Sequence, residues 1–190
     1  MTRNIVIFAS GSGTNMQRIV EYFREKRIRT IKVFCNRPDA LVLQRAENLG
    51  VPAVVFGKDD LYRSEAILSA LQSLSPDLIV LAGFLWRIPE NIIHAFAGKI
   101  INIHPALLPR YGGKGMYGEH VHRAVIEHGD TESGITVHYV NEQYDDGDII
   151  FQAKCPVDRK DTPATLAQKI HALEYEHFPA VIERLLITGE

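Results

Sequence analysis

The 190-residue chain is 46% hydrophobic and 23% charged, enough apolar content to bury a full core and too little bias for a disordered or fibrous chain. Lys and Arg number 21 against 23 Asp and Glu, for a formal net charge of −2, which excludes the broad basic surface of a nucleic-acid binder. No apolar run is long enough to span a bilayer, and the opening MTRNIVIFAS is too short for a signal peptide's core and cleavage site.

A cytoplasmic location is therefore expected, with neither membrane nor nucleic acid among the partners. Cys35 and Cys155 lie far apart without metal-ligand spacing, so they read as small buried residues and not as a disulfide or a zinc site.

Taken in order, NIVIFAS (4–10) is a near-continuous apolar run, the mark of a strand covered on both faces. Met16, Ile19, Val20 and Phe23 then recur at helical spacing. IKVFC predicts a second strand, and residues 39–49 a second helix ended by Gly50. PAVVF and DLIVLAG are strands on either side of a helix over 59–74. A short helix near 89–96 leads into the strand KIINIH. This alternation predicts an α/β fold: an open, mostly parallel twisted sheet with helices on both faces.

Beyond a Gly/Pro loop, a helix over about 119–128 precedes GITVHYV and GDIIFQAKCPV, two strands joined by a short polar link. Their closeness predicts an antiparallel pair at the sheet's far edge. Thr162 and Pro163 open a long amphipathic helix that closes the chain. No repeat or linker interrupts it, so one domain over 1–190 is expected.

Three segments carry chemistry. In INIHP, Asn102 and His104 are two apart on a strand and so share a face, about 7 Å apart, at the carboxyl end where open parallel sheets bind ligands. An amide there offers a neutral N–H to an oxyanion, and an imidazole moves protons near neutral pH. The loop NEQYDDGD brings Glu142, Asp145, Asp146 and Asp148 together, and one of these acids near His104 would orient the ring and raise its pKa; spacing does not say which. ASGSGTN follows the first strand and opens the first helix, a turn of small residues suited to a phosphate, although it has neither the GxGxxG nor the GK[ST] spacing.

With these residues in hand, the chain resembles the folate-dependent formyltransferases, and within them the glycinamide ribonucleotide branch. IVIFASGSGTN, LAGFLWRIP, INIHPALLP, GITVHYVNEQYDDGDIIFQ and LEYEHFP carry the likeness from residue 5 to 179. The resemblance implies that Asn102, His104 and Asp145 are catalytic. It also implies that Gly13, Thr14 and Asn15 hold the substrate phosphate and that Glu174 contacts the ribonucleotide. Leu85, Trp86, Arg87 and Ile88, with Asn102, would line the folate pocket, in a segment that departs from the family's GFMRIL. It further implies a Rossmann-like division into a phosphate-binding half, about 1–100, and a catalytic and folate half, about 101–190, in a monomer or homodimer.

The implied reaction moves a formyl group from 10-formyltetrahydrofolate to the amine of 5-phosphoribosylglycinamide, a step of purine synthesis. Asn102 and a protonated His104 would stabilise the tetrahedral oxygen, while Asp145 keeps the ring charged. No metal is expected, since the histidines lack HxxxH or HExxH spacing. His120 and His122 read as loop packing or site rim, and His138 as a packing or hydrogen-bonding group. The glycine-rich stretch RYGGKGMYGEHVH is either a mobile cover whose Lys114 reaches an anion or a surface insertion. A transferase acting on initiator tRNA is disfavoured by length and charge balance, and a formyl-folate hydrolase by the early first strand.

Overall fold

A computed structural model describes residues 2–188. The elements run β1 (Arg3–Ala9), α1 (Thr14–Tyr22), β2 (Ile28–Cys35), α2 (Leu41–Asn48), β3 (Ala53–Val55), α3 (Lys58–Tyr62), α4 (Ala66–Leu74), β4 (Leu78–Leu81), α5 (Glu90–Ala95), β5 (Ile100–His104), α6 (Glu119–Glu127), β6 (Glu132–Tyr139), β7 (Ile149–Pro156) and α7 (Pro163–Ile187). The strands form a mixed, seven-stranded sheet in the order β3-β2-β1-β4-β5-β6-β7, the α/β architecture expected from the sequence. The chain divides into two compact units, one running to Ile101 and taking up the chain again from Ile182, the other Asn102–Val181.

In the first unit β1 pairs in parallel with β2 on one side and β4 on the other, and β2 with β3. Its continuous apolar run follows from this position: Ile5 through Ala9 have no solvent exposure at all. Phe8 stacks on Phe34 at 4.8 Å and meets Phe56 and Phe84 edge-on at 5.9 and 5.3 Å, so one aromatic cluster ties three neighbouring segments to the central strand. The end of α7 returns to this unit, where Glu183 accepts from the Tyr22 hydroxyl and the Lys26 ammonium, each at 2.7 Å.

The helix expected over 59–74 is two helices. The Ser64 hydroxyl donates to the Asp60 carbonyl and accepts from the Ala66 N–H, both at 3.3 Å. A serine that serves the backbone on both sides replaces the helical ladder locally, which ends α3 and starts α4.

In the second unit β6 and β7 are antiparallel, with Ile135 opposite Ala153 and a register shift at Val137/His138. Gly134 has no alternative there, because a Cβ would strike the Ala153 carbonyl and lie 2.7 Å from Leu107 Cδ2. α7 opens as the sequence indicates: Thr165 N–H donates to Thr162 Oγ1 at 3.2 Å, and Thr162 N–H to Thr165 Oγ1 at 2.9 Å, just ahead of Pro163. Among the described residues no helix is long and apolar enough to cross a membrane.

The aromatic cluster sets a stability prediction. Phe8→Ala should cost about 3–5 kcal/mol of unfolding free energy in urea denaturation, from lost transfer energy plus the cavity left under Phe34; a cost under about 1 kcal/mol would mean the cluster is not a keystone of the unit.

Candidate active site

β5 buries Ile101 and Ile103, which leaves Asn102 and His104 on the opposite face, as period-two alternation requires. Both side chains find partners within the second unit. Asn102 Nδ2 lies 3.1 Å from His138 Nε2, and His138 Nδ1 lies 2.8 Å from the carbonyl of Tyr139. A carbonyl only accepts, so the His138 proton sits on Nδ1 and Nε2 accepts from the Asn102 amide. That leaves the second N–H of the same amide as a donor. His138 thus hydrogen-bonds, as expected, and its partner is the amide it orients.

His104 is 3% exposed and is held from two sides. Its Nε2 lies 2.7 Å from the Tyr111 carbonyl, and its Nδ1 3.5 Å from Asp145 Oδ2. The short contact to a carbonyl puts the proton on Nε2 of the neutral ring. Nδ1 is then the basic nitrogen, and it faces a carboxylate. Of the four loop acids, the structure brings Asp145 to the ring; Asp146 instead accepts from the Asn141 amide at 3.3 Å.

The loops on either side are shaped for this. Tyr111 and Asp145 both have left-handed backbones, φ 57° and 54°, a strain that persists at non-glycine residues only when surroundings enforce it. Asp145 Oδ2 accepts from Gly113 N–H at 2.9 Å, and a Cβ at Gly112 would come within 2.6 Å of Leu108 Cδ2 and 3.3 Å of Asp145 Cβ. The stretch Tyr111–Gly113 is therefore packed onto the carboxylate, whereas Lys114 is exposed. His120 rests its ring on Tyr117 at 5.3 Å, and His122 is buried on α6.

The electrostatics correct one expectation. Burial is the largest influence on His104 and pulls its pKa below the ordinary 6.5; Asp145 and the Tyr111 carbonyl both raise it but do not win. The ring is thus neutral near pH 7, not charged. Burial lowers His138 in the same way, against the Tyr139 carbonyl and Asp145. His122 falls to about 4 through burial and the nearby His171 and His104, opposed only by Glu119. Glu174 is a buried carboxylate on α7, 6% exposed.

The remaining predicted residues lie in the first unit. Gly13 caps α1 with φ 75°, and a Cβ there would stand 2.5 Å from Val42 Cγ2, so only glycine fits. The turn is braced by α2: Val42 N–H donates to the Gly11 carbonyl at 3.1 Å and Arg45 Nε to the Ser12 carbonyl at 2.9 Å. Thr14 and Asn15 form the first helical residues and are half-buried. In the segment after Gly83, Leu85 and Arg87 are exposed and Trp86 half-buried against Phe56 and Tyr62. Ile88 is 2% exposed and belongs to the core. Among the described residues no three His, Cys, Asp or Glu side chains converge to hold a metal.

Residues 3–182 match the model of the formyl transferase family. The chain belongs to that family. The formyltransferase is 39% identical over 188 residues to the phosphoribosylglycinamide formyltransferase of Haemophilus influenzae, covering 95% of this chain and 86% of the relative. It is 37% identical to the chloroplastic phosphoribosylglycinamide formyltransferase of Arabidopsis thaliana, covering 95% of this chain and 64% of that longer relative. Glycinamide ribonucleotide transformylase 1 from Geobacillus kaustophilus superposes with a TM-score of 0.88 at 38% identity, over 98% of this chain and 100% of that one. In this formyltransferase the amide of Asn102 is held by His138, and the imidazole of His104 faces the carboxylate of Asp145.

Sequence reasoning missed Tyr111. Its contribution is a main-chain carbonyl, which leaves no signal in side-chain identity; the clue available was the Gly112-Gly113 pair beside it.

Because Asp145 raises the His104 pKa, Asp145→Asn should lower it further. An NMR titration of the His104 ring measures this directly. An unchanged or raised value would show that the carboxylate does not act on the imidazole.

Proposed function

We propose that the chain transfers the formyl group of 10-formyltetrahydrofolate to the amine of 5-phosphoribosylglycinamide, in the cytoplasm. The single observation that carries this is the clustering of Asn102, His104 and Asp145, joined through His138, which meets the Asn102 amide at 3.1 Å and Asp145 Oδ1 at 3.7 Å, in a chain whose family performs formyl transfer. The free thiols of Cys35 and Cys155 suit a reducing compartment.

Addition of the amine to the formyl carbon places negative charge on the carbonyl oxygen and a surplus proton on nitrogen. The Asn102 N–H not engaged by His138 donates to that oxygen, and a preorganised donor of this kind is worth about 3 kcal/mol, or a hundredfold or more in turnover. The neutral His104 takes the amine's proton on Nδ1. The imidazolium so formed is stabilised by Asp145 at 3.5 Å and by the negative oxygen, and it returns the proton to N10 of the folate as the C–N bond breaks. No covalent enzyme intermediate is required. Burial serves this cycle: a ring whose pKa lies below 6.5 rests in the basic form and is charged only while the intermediate lasts.

Gly13, Thr14 and Asn15 are assigned to the phosphate, supported by their place at the start of a nine-residue helix, just after the exposed residues Gly11 and Ser12. Leu85, Trp86 and Arg87 are assigned to the folate, while the burial of Ile88 gives it a supporting part at most. Glu174 is assigned to the ribonucleotide.

The deciding experiment supplies purified protein with 10-formyltetrahydrofolate and, separately, each of several amine acceptors. Formylation of the glycinamide ribonucleotide is the expected result; release of formate without any acceptor would overturn it. In that assay Asn102→Ala and His104→Ala should each lower kcat by about a hundredfold with KM little changed. Thr14→Val and Asn15→Ala should instead raise KM for the phosphorylated acceptor, and an unaltered KM removes the phosphate assignment.

The pH profile follows with its sign. The active ring is neutral and its pKa is lowered, so activity should be retained above neutrality and be lost on the acid side, as pH falls through a value below that of an ordinary histidine. A profile that declines upward through neutrality and is abolished by His104→Ala would require the charged ring instead.

A further inference from the structure

The Tyr111 carbonyl fixes the tautomer of His104, yet the peptide that carries it is left-handed and not self-supporting. It is held from the far side. The Tyr111 hydroxyl donates to Asp130 Oδ2 at 2.7 Å, and Arg110 donates to Asp130 Oδ1 at 2.9 Å. Both carboxylate oxygens are therefore engaged by consecutive residues of one loop, which fixes the loop in rotation as well as distance. These bonds hold Asp130 below the usual carboxylate range although burial acts the other way.

Packing does not do the same work. Next to Tyr111 lies a cavity of about 170 Å³, lined by Leu107, Arg110, Tyr111, Asp130, Gln152 and Lys154. On that side the ring faces an open hollow lined mostly by polar residues, and no apolar side chain but Leu107 lines it, so its hydroxyl bond to Asp130 does much to decide where it stands. The ring's other neighbours are His128, edge-on at 5.6 Å, and the Arg110 guanidinium, 5.2 Å from the ring centre, which is itself tied to Asp130. Asp130 itself is fixed in the chain by Gly129, φ 69°, and by its N–H on the Val125 carbonyl at 3.3 Å.

We propose that Asp130 is a positioning residue of the formyl-transfer site: through the Tyr111 hydroxyl it holds the Tyr111 carbonyl against His104 Nε2, and so keeps the imidazole in the tautomer that presents Nδ1 as base. This rests on the role given to His104 above. The ionisable groups facing that ring are Asp145 and His138, from β6 and the loop after it, and His122 from α6. Asp130 touches none of the reacting atoms; it acts through Tyr111.

The test compares Tyr111→Phe and Asp130→Asn in the intact protein. Each should lower kcat about tenfold with KM changed less than about twofold, as expected when a catalytic group is displaced but binding is not. Slackening a carbonyl that favours the charged ring should also move the acid limb of the kcat profile to lower pH. In ¹⁵N spectra of the imidazoles, the Nε2–H signature of His104 should give way to a mixture of tautomers.

Tyr111→Phe removes one oxygen and keeps the ring, so it decides the matter even if Asp130→Asn fails to fold. Wild-type turnover in Tyr111→Phe, or a fall in kcat with the His104 spectrum unchanged, overturns the proposal. Failure of the underlying role looks different: His104→Ala would then keep its turnover, while the spectra would still report whether Asp130 holds the ring.

Discussion

The site depends on one buried imidazole held between a main-chain carbonyl and a carboxylate. His104 is withdrawn from water, and a buried ring nitrogen without a partner would cost the desolvation energy of that group, about 1–3 kcal/mol. The surrounding backbone is bent to prevent this. Tyr111 and Asp145 each adopt a left-handed conformation, at a cost of about 1–3 kcal/mol apiece, to aim a carbonyl and a carboxylate at the ring. Gly112 and Gly147 are the residues that let the chain pass so closely: a side chain on the first would enter Leu108 and Asp145, and on the second the Tyr139 carbonyl.

Two imidazoles in similar surroundings are set to opposite tasks by the carbonyls beside them. His138 gives its Nδ1 proton to Tyr139 and so offers Nε2 as an acceptor, which fixes the rotation of the Asn102 amide. His104 gives its Nε2 proton to Tyr111 and so offers Nδ1, next to Asp145, as a base. Burial lowers both pKa values and keeps both rings neutral at rest. The difference in role is therefore one of tautomer, decided by which nitrogen meets the backbone.

Much of this was legible in the sequence, for identifiable reasons. The order of strands and helices follows from apolar runs and helical spacing, and the antiparallel pair from two strands joined by a short polar link. The shared face of Asn102 and His104 follows from a period of two. What failed to show was whatever tertiary placement decides. Four acids crowd one loop, so spacing left the choice open; the family resemblance pointed to Asp145, and it is the Asp145 carboxylate, on a left-handed backbone, that stands beside His104. The sign of the His104 shift needed the extent of burial, which outweighs the carboxylate the sequence did suggest. The break at Ser64 lay hidden because a hydroxyl that serves the backbone reads, in one dimension, like any surface serine.

Within the first unit, a single residue joins the two segments assigned to ligands. Ser10 N–H donates to the Gly83 carbonyl at 3.1 Å, and the Ser10 hydroxyl accepts from Leu85 N–H at 3.0 Å. Ser10 directly precedes the glycine turn whose far side is pinned by Val42 and Arg45 of α2. The turn and the Gly83–Arg87 segment thus hang from adjacent backbone positions at the end of β1, a strand with no exposure beyond Asn4. Loops anchored this way lose little freedom when a ligand arrives, because the ordering has been done by the fold. Along this segment Phe84 enters the aromatic core and Trp86 lies half-buried at its rim against Phe56 and Phe84, while Leu85, whose N–H is held by Ser10, points into solvent.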